Sequence, residues 1–413
     1  MLDILYLVHR IPYPPNKGDK IRSYHVLKYL SERCRVHLGC FIDDPSDRAY
    51  LPKLEALCAS ICVIQQRPLV ARLRSARSLF SASPMSVEYY RNRRLQDWAR
   101  QHLASGKIGH ALAFSGPMAQ YLEPLPAQAG VRRVIDFVDV DSEKFLQYGA
   151  LQAWPLSQVY RREARRLLAY ESAVAQQFDA STFVSPAEAA LFQRRAPQVT
   201  RPILSFSNGV EAEFFSPQRL YLNPYPDAGH ALVFTGAMDY WPNVDAVAWF
   251  AGQVLPRLRT RFPRLLFYIV GTRPVAAVRA LARLPGVVVT GAVPDIRPYL
   301  AHAACAVAPL RLARGIQNKV LEAMAMAKTV LASPQALEGI SAVPGKELLL
   351  AAGADEFVLQ LTRLLASPPG RGMGVAARKR VLQDYAWDSN LARLGALLGL
   401  PREARAANRE QQS

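Results

Sequence analysis

The chain is 413 residues long, half of them hydrophobic, and its 51 Lys and Arg against 33 Asp and Glu give a net charge of +18. That length implies roughly two or three domains, each able to bury a core, and no run of about 18 apolar residues is free of charge, so no membrane-spanning helix is expected. The charge calls for an anionic partner or a structural reason, and nucleic acid, an anionic membrane face and anionic small substrates are the classes it admits. In chain order, residues 2–8 read as an apolar strand, because MLDILYLVHR turns charged too early for a secretory signal. The loop HRIPYPPNKGDK follows. A helix starts at Asp19 or Lys20 and carries Tyr24, Leu27 and Leu30 on one side. Strand, glycine and helix in this order suit a nucleotide or sugar at a sheet edge, although the loop lacks the G-x-G-x-x-G of a dinucleotide site. Strands at 35–42 and 61–64, a helix at 87–103 and a strand at 110–114 continue the alternation, and SGPMAQYL opens another helix. The five cysteines, Cys34, Cys40, Cys58, Cys62 and Cys305, are odd in number and lack metal-ligand spacing. They point to free thiols in a reducing, cytoplasmic chain, with Cys58 and Cys62 one helical turn apart in the core. The stretch 67–107 is densely basic and mixes Arg72, Arg74 and Arg77 with Leu73, Leu79 and Phe80. It reads either as a solvated face or as a surface for anionic lipid headgroups. No signature of a common nucleic-acid-binding module is present.

Residues 134–138 form a strand that runs into DFVDVDSEKF. Asp136, Asp139 and Asp141 repel one another unless they are paired, hydrogen-bonded or serve a ligand. A metal site, a catalytic role and a helix N-cap at Asp141, with Lys144 in the first turn, all remain open. A long helix covers 156–178. Ser185 then caps a helix with Pro186 at its first position and Glu188 in its first turn. A strand at 203–206 leads into SNGVEAEFFSP, where Asn208-Gly209 signals a turn. The proline-rich YLNPYPDAG, 221–229, is the linker candidate, so one domain ends near residue 210 and the next is under way by His230.

The second half repeats the alternation. A strand at 231–234 ends in TGAMDYWPNVDAVAWF, where Gly236 permits close backbone approach and Pro242 or Asn243 starts a helix. Strands at 265–270, ending in Gly271, and at 287–290, running into GAVPDIRPYL, come next. The stretch 305–333 organises the rest: strand 305–310, a cationic loop 311–317, helix 318–327 and strand 329–332. In a parallel sheet such a loop opens at the carboxyl edge, where ligands bind, and the helix aims free N–H groups at that crevice. Arg311, Arg314 and Lys319 gather at this helix start, against its dipole, and an anionic ligand would remove the conflict. Glu322 sits one turn on, where a carboxylate can accept from two sugar hydroxyls. A strand at 348–350, a helix at 355–365 and the helix YAWDSNLARLGALLGL complete the chain before a polar tail from Arg402.

The segments SNGVEAEFFSP, LFYIVGTRP, VVVTGAVPDIRPYLAHAACAVAPLR, NKVLEAMAMAKTVLAS and YAWDSNLARL, in this order, resemble the family 4 retaining glycosyltransferases over nearly the whole chain. The opening loop, MDYWPNVDAVAWF and GIQNKVLEAMA are most similar to the sugar transferases associated with exopolysaccharide export and PEP-CTERM/exosortase systems. The resemblance implies an α/β GT-B fold with two Rossmann-like domains facing across a cleft. It implies an acceptor-binding domain over 1–210, a nucleotide-sugar-binding domain over 211–380, a crossover helix over 381–400 that returns to the first domain, and a disordered tail over 401–413. It implies donor contacts from Gly236, Gly271, Val293, Arg311, Arg314, Lys319, Val320 and Glu322. Among these, Glu322 is the second glutamate of the family's E-x7-E motif and holds ribose hydroxyls, Val293 lies near the base, and Gly236 faces the diphosphate. On the acceptor side it implies Lys17, Gly18, Asp19 and Gly116.

The departures from the family pattern shape the reading. Arg314 stands at the first glutamate, Ala237 follows Gly236 without the usual arginine, and Asn243 sits near the usual lysine. Arg311, Arg314 and Lys319 are therefore the cations expected on the diphosphate. No histidine follows the fourth strand, where the chain reads FSGPMAQY, so Ser115, Asp139 and Arg314 are the catalytic candidates. The implied activity is retaining glycosyl transfer from a nucleotide-diphosphate sugar, without a metal or other cofactor, to a glycan or polyprenyl-linked acceptor. The implied place is the cytoplasm, with peripheral contact to the anionic inner face of the plasma membrane and no nucleic-acid partner. The competing readings are a sugar-nucleotide 2-epimerase of the same fold, a transferase fold that binds without turnover, and a non-enzymatic anion or nucleic-acid binder.

Overall fold

Seven short apolar runs of the first half become seven strands: β1 (Asp3–Val8), β2 (Arg35–Ile42), β3 (Ser60–Gln65), β4 (Ile108–Phe114), β5 (Arg132–Val138), β6 (Ala180–Phe183) and β7 (Ile203–Ser205). Six more follow: β8 (Ala231–Thr235), β9 (Leu266–Val270), β10 (Val287–Gly291), β11 (Cys305–Ala308), β12 (Val330–Ala332) and β13 (Leu349–Leu350). The structure is a computed structural model and describes residues 2–15, 18–122, 130–225, 230–313, 315–367 and 372–401. The chain divides into two units, Met1–Ser207 with Asn390–Ser413, and Asn208–Ser389.

In the first unit the strand order is β3-β2-β1-β4-β5-β6-β7, with every pairing parallel. Parallel strands are covered on both faces, which is why β1 reads as an unbroken apolar run and Ile4 through Val8 are all buried. Phe137, Phe183 and Phe192 pack with ring centroids 5.0–5.7 Å apart in its core. In the second unit the order is β10-β9-β8-β11-β12-β13, again all parallel. Each sheet reverses its order beside its first strand, between β1 and β4 and between β8 and β11. Such a switch point opens a crevice at the carboxyl edge of the strands. The final helix, Trp387–Leu398, starts in the second unit and is grouped with the first from Asn390 on. There Leu391, Leu394 and Leu398 are buried, and a Cβ on Gly395 would lie 2.2 Å from the Tyr29 hydroxyl.

Several elements differ from the sequence expectation. The helix expected over 87–103 is two helices, Met85–Tyr89 and Arg93–Ala104, because Asn92 leaves the helix and caps the second, its side chain accepting from Leu95 N at 3.3 Å. The turn after Ser115 is a 3-10 helix, Gly116–Tyr121. Cys62 lies in β3 rather than on a helix with Cys58, and all five cysteines are free thiols. Asp141 is the first residue of the helix Asp141–Leu151, and the N-cap is Val140. The helix Gly372–Asp384 was not expected at all, and its Gly374 is required, since a Cβ there would sit 1.9 Å from the Ala327 carbonyl oxygen. The tail 402–413 and residues 226–229 of the linker lie outside the described residues. Among the described residues no helix is long and apolar enough to cross a membrane.

Candidate active site

At the carboxyl edge of the second unit, three loops are laced together by backbone. Gly236 N donates to Val270 O at 3.1 Å, Gly271 N to Gly291 O at 3.1 Å, and Met238 N to Thr272 O at 2.8 Å. Gly236 has φ +155°, and a Cβ on Gly271 would lie 1.6 Å from the Gly236 oxygen, so glycine is obligatory at both positions. Beside them starts the helix Asn318–Ala325, whose cap residue Gln317 makes no side-chain capping bond. Lys319 reaches back from its first turn and donates to Asn243 Oδ1 at 2.6 Å, while Asn243 Nδ2 donates to Ala237 O at 2.9 Å. The Lys319 ammonium also stands 4.7 Å from the Phe234 ring centroid. Asn243 thus ties the cation to the glycine loop.

Burial decides the charge state here. Desolvation pushes Lys319 down to about 8, opposed by Glu322, and the same desolvation pushes Glu322 up to about 7, opposed by Lys319. Both groups are held near neutrality, and an anion at Lys319 or a hydroxyl donor at Glu322 would favour their charged forms. Arg311 sits differently. It is exposed and makes a bidentate pair with Asp245, Nε to Oδ2 at 2.9 Å, so a ligand would have to compete for it. Val320 is buried among the strands, and its N–H donates to Gln317 O at 2.9 Å. Val293 lies half-buried in the loop after β10. Asn208 Nδ2 donates to Asn318 Oδ1 at 3.1 Å, which brings the SNGV turn to the start of the same helix. Arg314 lies outside the described residues.

The first unit's edge is built around a charge pair that sequence reasoning missed. Arg22 and Asp136 are both fully buried, with Nε 2.8 Å from Oδ2 and Nη2 3.1 Å from Oδ1. Arg22 also donates to Phe206 O at 3.1 Å and stacks 3.6 Å from the Phe206 ring, while Thr182 Oγ1 donates to Asp136 Oδ1 at 3.1 Å. Asp136 is therefore a framework residue. Asp139 is different. Its Oδ1 is buried without a hydrogen-bond partner, and burial, with Glu188 and Asp141 adding to it, pushes its carboxyl up to about 7. It follows Val138, the last residue of β5, at φ +72°, and the neighbouring β4 is followed by a second strained residue, Ser115 at φ +76°, whose N–H donates to Asp136 O at 2.7 Å. Gly116 follows Ser115, and a Cβ there would find ordinary contact with Phe137 at 3.6 Å, so its lack of a side chain is not a packing demand.

At the end of β1, the helix Gly18–Ser31 opens with Asp19. Asp19 accepts from Arg10 Nη1 at 2.5 Å and lies 3.3 Å from His9 Nε2, which together hold it well below the usual carboxylate range. His9 stacks on Phe114 with ring centroids 5.9 Å apart and was not among the sequence candidates, although a histidine and an arginine straight after the first strand were a signal. Lys17 lies outside the described residues. Among those described, no cluster of His, Cys, Asp and Glu is arranged to hold a metal ion.

Residues 229–367 match the family model described as Glycosyl transferases group 1. No curated protein matches the chain. Solved structures do. Sucrose-phosphate synthase from Thermosynechococcus elongatus superposes with a TM-score of 0.65 at 17% identity, over 96% of this chain and 98% of that one. HepE of Anabaena, solved with UDP and glucose, gives 0.66 at 14% identity over 97% and 100%. WaaG, a glycosyltransferase involved in lipopolysaccharide biosynthesis, gives 0.66 at 16% identity over 96% and 100%. The fold is GT-B. The family match and the GT-B fold together support glycosyl transfer as the chemistry of this chain.

Proposed function

We propose that this GT-B chain transfers a sugar from a nucleotide-diphosphate donor, with retention at the anomeric carbon, to a glycan or polyprenyl-linked acceptor in exopolysaccharide biosynthesis. The observation that carries the reading is the Lys319–Asn243–Gly236 edge with Glu322 one helical turn away, inside the segment that matches the group 1 family. In the transfer, the bond from the anomeric carbon to the diphosphate breaks, a bond to the acceptor oxygen forms, and the acceptor proton passes to an oxygen of the departing diphosphate. Lys319 and the positive end of its helix stabilise the charge that develops on the leaving diphosphate. Glu322 receives the ribose hydroxyls. In this reading Asp139, raised to about 7, is the acceptor-side carboxyl able to hold a proton near neutral pH.

UDP-glucose is the first donor to try, because the Anabaena HepE structures hold UDP and UDP-glucose. The test is turnover of labelled donors with a polyprenyl-linked glycan acceptor, followed by NMR of the product's anomeric configuration. Retention in an acceptor-dependent product is expected. Epimerised donor formed without acceptor would replace this reading with that of an epimerase.

A further inference from the structure

The helix Pro68–Arg77 is built inside out. Its inward face carries Ala71 and Ser75, both buried, with Ser75 Oγ donating to Met85 O at 2.8 Å. Its outward face carries Leu69 and Leu73, 75% and 67% exposed, with Val70 also exposed. An ordinary surface helix buries its leucines and exposes its serines. A second exposed apolar group lies at the tip of the hairpin formed by the helices Asp141–Leu151 and Leu156–Gln177. There Leu151, Trp154 and Leu156 project into solvent, Trp154 being 80% exposed.

The two groups are tied together. Arg162 donates to Ser78 O at 2.6 Å and Ser81 O at 2.5 Å, just past the end of the first helix. Glu163 accepts from Met85 N at 2.8 Å and Ser86 N at 2.9 Å. Arg162 is six residues beyond Leu156, and Ser78 five beyond Leu73, so these two leucines lie within roughly 10 Å of that junction, and Leu69 one helical turn further out, at roughly 14 Å. The charges around them have one sign. Arg67, Arg72, Arg77, Arg161 and Arg165 are exposed, and the sequence holds no Asp or Glu between Glu55 and Glu88 or between Glu143 and Glu163. Arg74 is turned away from this face, donating to Glu88 O and Tyr89 O.

We infer that these two elements form a docking face for an anionic lipid bilayer. Leu69, Leu73 and Trp154 enter the interface, and the arginines meet the headgroups. Exposed leucines and a tryptophan in segments that carry exposed arginines and no carboxylate, 56–87 and 144–162, fit the boundary between acyl chains and acidic headgroups. A second copy of the chain fits poorly, because a face paired with itself would set arginine against arginine. The hairpin also begins at Asp141, two residues past Asp139, and its first helix of 11 residues spans about 16 Å. Docking at the tip would thus hold the β5 edge close to the bilayer, where a lipid-linked acceptor resides. The acceptor half of the proposed function gains its surface from this inference, but the docking itself does not depend on the transfer reaction.

The test is co-sedimentation of the full chain with vesicles of phosphatidylglycerol and phosphatidylcholine in equal parts, against vesicles of phosphatidylcholine alone. Binding to the anionic vesicles at low salt is expected, and Leu69→Glu with Leu73→Glu should lower the partition coefficient at least about tenfold, as loss of two buried leucines would. Trp154→Ala should cost a similar factor, and Arg72→Gln and Arg77→Gln about fivefold each. These positions are exposed, so circular dichroism and the thermal shift with UDP should be unchanged. Nucleotide binding without vesicle binding overturns the docking face and spares the transfer reading, and the reverse result spares the face. Vesicle binding that the leucine and tryptophan variants retain in full also overturns it. So does self-association that those variants abolish, or a preference for polynucleotide over vesicles.

Discussion

The two sheet edges treat charge in opposite ways. In the first unit, Arg22 and Asp136 are buried and fully hydrogen-bonded, each satisfied by protein groups. In the second, Lys319 and Glu322 are only half-buried, desolvation still draws Lys319 down to about 8 and Glu322 up to about 7, and Lys319 is held by a neutral amide rather than a carboxylate. The first arrangement fixes where β5 and the helix Gly18–Ser31 sit. The second leaves charge to be completed by a ligand. A saturated pair is a framework, and an incomplete one is a binding site.

The comparison is broken most severely by opening the saturated pair. Arg22→Leu or Asp136→Ala alone should cost about 3–5 kcal/mol in urea unfolding, because the partner is left buried and unpaired. The double variant Arg22→Met with Asp136→Leu should recover most of that loss. Lys319→Ala, by contrast, should leave the urea midpoint nearly unchanged and lower kcat/KM for the donor by about a hundredfold to a thousandfold, as removal of a group that stabilises developing charge does. Asn243→Ala should cost about tenfold in the same assay, since it removes one hydrogen bond to a charged group while Lys319 remains.

The pH dependence sharpens the contrast. Glu322 must be ionised to accept hydroxyls best, and Lys319 protonated to hold phosphate. Donor affinity should therefore fall below about 7 and above about 8, where these two groups change charge. Calorimetric titrations across pH would show this, with Glu322→Gln removing the acid limb and Lys319→Ala the alkaline one. The smallest effect is expected at Asp139. Its carboxyl is raised in the folded state, so the folded chain binds the proton more tightly and stability falls as pH rises from about 4 to about 7. Asp139→Asn should raise Tm by a few degrees at pH 8, by less at pH 5, and hardly at all below about pH 4.

The strands were legible because parallel sheets demand apolar runs, and β1, β8 and β11 announce themselves that way. The loop–helix around Lys319 and Glu322 was legible because its charge opposes the helix dipole. The break at Asn92 was not, since a capping asparagine and a surface asparagine within a helix read alike. The helix Gly372–Asp384 was hidden by its glycines, one of which exists only because the chain passes the Ala327 carbonyl. Arg22 gave no local signal, because its partners Asp136 and Phe206 are distant in sequence and only the fold brings them together. The role of Asn243 was visible only as a missing lysine, and the structure shows an amide that holds Lys319 in place.

The most direct test of the incomplete site is calorimetric titration of the chain with UDP, GDP and ADP in EDTA, beside the Lys319→Ala variant. The account predicts saturable binding of one diphosphate by the parent chain and its loss in the variant at unchanged Tm. Equal binding by both proteins, or none by the parent chain, would contradict it.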